Sequence, residues 1–158
     1  MTFNKKFRTA LILGILVVLA VAYFDILSAK SGIFGSYEDY TNGNYAQNWW
    51  NLFKVGVIFL FLIVPITYYF LVKKDKSEAI AIFLTSMTAW WFGLADVFYF
   101  LFQGKMIPAV LPWLNNNPII LAIAKLFRFE QVTSFSLILS ITVGFIVIVI
   151  LTKFLEKI

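Results

Sequence analysis

The chain has 158 residues, of which 61% are hydrophobic and only 13% charged, with a mean hydropathy of +0.88. A soluble domain carries about 45–50% apolar and about 25% charged residues, so water is excluded as the main solvent for this surface. The absence of cysteine and histidine excludes disulfides, thiolate chemistry and the usual zinc, haem and copper sites. The net charge of +5 comes with no nucleic-acid recognition motif and is read instead as affinity for lipid headgroups. No cofactor, no metal and no nucleic acid are expected.

A membrane-crossing helix needs about 20 mostly apolar residues, and four segments qualify. The first covers about 9–27, with Asp25 near its end. Its leading "NKKFR" also suits a signal peptide, but Leu27-Ser28-Ala29 puts leucine where a small residue is needed for cleavage, so an uncleaved helix is expected. The loop that follows, about 28–51, carries Tyr37, Tyr40, Tyr45, Trp49 and Trp50. These rings suit an interfacial belt, or a lid over a site. The second span covers about 52–72, and Pro65 should kink it by removing one ladder hydrogen bond. After "KKDK" the third span covers about 79–102.

The stretch after Gly104 holds Pro108, Pro112 and Pro118 and is too apolar for a free loop. It is expected to fold over the helix ends as a surface cap or to re-enter the membrane. Asn117-Pro118 reads as an N-cap followed by proline in the first turn, opening a short helix over 118–128. Lys125 and Arg128 on its otherwise apolar surface suit a helix lying in the interface. The fourth span covers about 132–151. Its Ser136, Ser140 and Gly144 recur at spacing four, a stripe for close helix approach within the bundle or in a homodimer.

Eight basic residues (Lys5, Lys6, Arg8, Lys73, Lys74, Lys76, Lys153, Lys157) flank one side of these spans, and five (Lys30, Lys54, Lys105, Lys125, Arg128) flank the other. The positive-inside rule then puts both termini in the cytoplasm. The expected fold is all-α: a polytopic protein of the cell membrane, with four transmembrane helices in one domain over 1–158 and a short interfacial helix or re-entrant cap between the third and fourth.

The third span reads "WWFGLADVFYFLFQG" from Trp90, and its lone carboxylate is Asp96. At helical spacing, Thr85, Thr88, Ala89, Gly93, Tyr99 and Gln103 share its face, which is too small and polar to meet lipid and is expected to pack inward. A charged residue inside a membrane is costly and points to function by default. Lys54 and Arg128 are candidate cation partners, and Asp25 lies at the same level. The candidate ligand set is Asp96, Tyr99, Asp25, Lys54 and Arg128 for the polar end, with Trp90, Trp91 and Phe92 for the apolar end. Asp96 is the candidate acid should there be chemistry; a structural clamp is the plainer alternative.

The leading reading is a small integral membrane protein whose aromatic-lined pocket, open towards the outer leaflet, binds a lipid or other apolar ligand with Asp96 as its polar anchor. The alternatives are an accessory subunit docking a membrane-protein partner through its aromatic outer loops, and a small transporter or intramembrane enzyme using Asp96 as general acid. Two acids and four spans invite comparison with the lipoprotein signal peptidases. However, "GLAD" at Gly93–Asp96 shares only Ala-Asp with one of that family's signatures, and the sequence contains no N-x-x-D-R. No family resemblance is claimed.

Overall fold

The computed structural model describes residues 5–31, 47–73 and 75–155, with side chains described over 8–27, 56–72 and 75–155. The aromatic loop residues Tyr37, Tyr40 and Tyr45, and the side chains of Trp49, Trp50 and Lys54, lie outside that range. The described elements are helical: α1 (Lys5–Ser31), α2 (Gln47–Tyr68), α3 (Lys76–Trp91), α4 (Leu94–Phe102), α5 (Pro118–Leu126) and α6 (Ser134–Leu155). A π-helical turn, Tyr69–Lys73, extends α2, and a 3-10 turn, Pro112–Asn116, precedes α5. Pro65 is accommodated inside α2, which loosens into the wider π turn one turn later.

Asp75 stops the chain from continuing α2 and starts α3. Its extended backbone and carboxylate cap the new helix, accepting from Glu78 N at 3.2 Å and from Ser77 Oγ at 2.9 Å. α3 is the hub on which α1, α2 and α6 all pack. Close approach is possible because two neighbours present glycine. A Cβ on Gly14 of α1 would sit 2.6 Å from Thr85 Cγ2, and one on Gly144 of α6 would sit 2.7 Å from Phe92 Cβ. The first core, including Val18, Val21, Val57, Phe61, Ala89 and Ile148, fills the space between these helices. Ser136, Ser140 and Gly144 are all buried within the chain, so the stripe serves this packing.

The third apolar segment is not the single helix the sequence suggests. It is broken after Trp91, and α3 and α4 meet at 71°. Gly93 makes the break. Its φ of +92° is left-handed, a region where side chains other than glycine's are strained. A Cβ there would also collide with Leu137 and come within 3.0 Å of Ile120 Cδ1. The bend therefore separates Thr85 and Ala89, buried along α3, from Asp96 and Tyr99, which point along a new axis.

Residues 103–133 form a compact cap. Gly104, at φ +62°, ends α4 with paired bonds from Lys105 N to Phe100 O and from Gly104 N to Leu101 O. The chain then pairs with the approach to α6: Leu111 N donates to Val132 O at 2.9 Å, Ser134 N donates to Ala109 O at 3.1 Å, and Val110 bridges Thr133. Asn115 Oδ1 accepts from Val132 N at 2.8 Å. Asn117 caps α5, accepting from Ile119 N and Ile120 N, with Pro118 in the first turn as its sequence implies. Thr133 and Ser136 cap α6 reciprocally, each backbone N–H donating to the other's hydroxyl at 2.9 and 3.2 Å. Leu111, Leu114, Ile120, Ala124, Val132 and Leu137 close a second core under this cap, with Phe100 of α4. Within 107–114, Leu111 and Leu114 are buried in the chain's own interior, while Pro108, Ala109, Val110 and Pro112 are on its surface.

Among the described residues, Arg8–Leu27 and Ser134–Leu155 are each long and apolar enough to cross a membrane, both with a mean hydropathy of 2.7. The bent pair α3 and α4 makes a third if it is one broken span. Because the break needs both the left-handed angle and the missing Cβ, Gly93→Ala should cost about 1–2 kcal/mol for the backbone. Overpacking against Leu137 should add about 1–3 kcal/mol. The expected outcome is a large drop in melting temperature in detergent, whereas Gly56→Ala, where a Cβ meets nothing within 4 Å, should be neutral or mildly stabilising.

Candidate functional site

The helix break gives Asp96 its local setting. With α4 starting at Leu94, Asp96 stands in the first turn of a helix instead of the middle of one. There its carboxylate meets the positive end of the helix dipole and receives a hydrogen bond from its own backbone amide. The indole Nε1 of Trp113, from the 3-10 turn of the cap, donates to Asp96 Oδ1 at 3.2 Å. Trp113 is steadied by Phe100, whose ring centroid lies 6.0 Å away.

The C-terminal part of α1 packs against α4, with an edge-on contact between Tyr23 and Phe102 at 6.2 Å. This brings Asp25, half-buried, close enough to Asp96 for the two carboxylates to sense each other's charge. Tyr99, one turn beyond Asp96, shares a side-chain hydrogen bond with Gln103 and also senses Asp25. The locus thus joins two carboxylates, a phenol, an amide and an indole on three separate segments. Among the described residues no basic side chain neutralises either carboxylate. No group of three or more potential metal-ligating acids forms among those residues either.

The other sequence-derived candidates sit elsewhere. Arg128 is exposed at the far end of α5, at φ +61°, and does not pair with Asp96. Trp90 is packed edge-on against Phe61 of α2 at 5.7 Å and against Trp91 at 5.4 Å, in the first core. Phe92 lies over Gly144 and lines an apolar crevice with Ala89, Leu94 and Ile141. At about 10 Å³ that crevice is no larger than the space one water needs, and Asp96 does not line it.

Two residues have roles here that the sequence pattern does not announce. Trp113 is one aromatic among many, and nothing in its spacing points to Asp96. Asn117 reads as a cap, but its amide also acts outside α5. The Nδ2 atom donates at 2.9 Å to Trp91 O. In an unbroken helix that carbonyl would accept from Ala95 N, so Asn117 satisfies a group that the break leaves open.

No family model, curated protein or solved structure matches this chain. The chemistry of the site therefore rests on its own residues. Trp113→Phe keeps the ring and removes the donor to Asp96. Hydrogen bonds to charged groups contribute about 1.5–3 kcal/mol, and with Asp96 only partly buried the lower end, about 1.5 kcal/mol, is expected. Hydrogen exchange in residues 107–117 should accelerate, while α1 and α6 keep their protection.

Proposed function

We propose that this is a multi-pass protein of the cell membrane, with four spans and both termini cytoplasmic, whose Asp25–Asp96 locus anchors the polar end of a lipid or other apolar ligand. The proposal is carried by the approach of two carboxylates from different helices to within range of each other's charge, with no basic side chain placed against either among the described residues. A structural clamp needs only Trp113 and Asp96. Asp25 adds repulsion to such a clamp, and like charges brought together out of water disfavour the fold. A ligand headgroup offering hydrogen-bond donors or positive charge would relieve that repulsion, since ionised carboxylates only accept. Tyr23, Phe98 and Phe102 would supply apolar walls beside it, and Trp113 a cover. The eight-to-five excess of basic residues supports the orientation, which puts the locus towards the outer leaflet.

The topology is tested in a chain that has no cysteine of its own. Asn42→Cys should label from outside and Lys76→Cys from inside; labelling of both from one side refutes the four-span arrangement. Ligand binding is tested by native mass spectrometry of gently extracted protein. Asp96→Asn should fold yet retain the co-purified molecule at least tenfold less well, equivalent to about 1.4 kcal/mol. Asp25→Asn should also lose ligand, but with equal or higher thermal stability. Unchanged retention in both variants would reject the ligand reading.

A further inference from the structure

The feature outside that locus with the most chemistry is the C-terminal end of α5. The helix closes with Phe129 N donating to Ala124 O at 3.0 Å and Arg128 N donating to Lys125 O at 2.9 Å. In this arrangement the residue at the left-handed position is ordinarily glycine, and here it is Arg128, at φ +61°. A basic residue complements the negative end of a helix dipole, which explains Lys125. It does not explain why a position that favours glycine holds an arginine. Lys125, Leu126, Phe127 and Arg128 are all exposed, with Leu126 at 77%. Glu130 is the one acid in the stretch 125–130, so the two basic residues outnumber it.

The neighbouring rings give the depth of this group. Phe127 and Phe129 both meet Phe135, at centroid distances of 6.2 and 6.1 Å. Phe135 lies in the first turn of α6, a helix long and apolar enough to cross a membrane, and it is 56% exposed. If α6 crosses the bilayer, Phe135 marks the level where hydrocarbon begins. Arg128, which lies between Phe127 and Phe129 in sequence, is then at the level of lipid phosphates. Aromatic rings and basic side chains are both favoured there.

We propose that Lys125 and Arg128 form a binding site for the phosphate of an anionic phospholipid, with its acyl chains running over the exposed Phe135 and Ile138 of α6. The guanidinium offers paired donors to phosphate oxygens, which a lysine or a glycine at that position would not. The site is separate from the Asp25–Asp96 locus and rests only on α6 crossing the membrane.

The test uses the full chain in a neutral detergent, titrated with phosphatidylglycerol, with phosphatidylcholine and with inorganic phosphate. The wild type should gain several degrees in melting temperature with phosphatidylglycerol and markedly less with the other two. Arg128→Gly is the decisive variant, because glycine suits the left-handed backbone. It should match or exceed the wild type without lipid and lose most of the phosphatidylglycerol response. Lys125→Gln should lose part of it. A response that survives in Arg128→Gly overturns the proposal. A wild-type response equalled by phosphatidylcholine, or by inorganic phosphate, overturns it as well. Loss of ligand in Asp96→Asn is read separately, so either site can fail without the other.

Discussion

The carbonyl of Trp91 is freed where α3 stops, and the rest of the fold answers to it. In an apolar interior an open backbone acceptor is expensive, with each unsatisfied group costing several kcal/mol in lipid. The break is therefore sustainable only if something returns to fill it. Asn117 does so from 26 positions downstream, and its other amide atom simultaneously caps α5. One side chain thus fixes the start of α5 to the end of α3. Gly93, Leu137 and Ile120 meet at the same place, so backbone angle, packing and hydrogen bonding all specify the same bend.

Everything in the cap follows from that attachment. With α5 pinned at its start, residues 109–111 can pair with 132–134, and Asn115 can take the amide of Val132. The second core then forms from Leu111, Leu114, Ile120, Ala124 and Val132, beneath a surface that keeps Met106 and Leu126 exposed. Short segments that are weak alone become stable because their polar groups are used inside the cap and their apolar faces share one interior.

The long apolar helices are legible in the sequence because about 20 apolar residues in a row have few other readings. The cap of α5 is legible because Asn-Pro before an apolar stretch is a local signal, and it needs no knowledge of the rest of the chain. The break at Gly93 is not. Glycine within an apolar run equally suits close helix packing, as Gly14 and Gly144 demonstrate, and only the neighbours Leu137 and Ile120 decide which use applies. Treating 79–102 as one helix therefore assigns Asp96 to a face with Thr85 and Ala89 that does not exist past the bend. The partners Trp113 and Asp25 are hidden for a related reason. They come from segments 17 and 71 positions away in sequence, and periodicity along one helix carries no information about them.

The bend also changes the meaning of an acid in this stretch. In a continuous span Asp96 would oppose the apolar interior with only side chains to compensate. As a first-turn residue it is held by the helix dipole, by its own amide and by the Trp113 indole. All of these depend on α4 beginning at Leu94 and on the cap lying over it. Straightening the helix would remove the dipole and the amide, and displacing the cap would remove the indole. Asp96 is tolerated because Gly93 turns the chain and Asn117 secures the turn, and Asp25 approaches it because α1 packs against α4 as well as α3. The candidate site and the helix break are one structural unit, and the unusual glycine comes first in its logic.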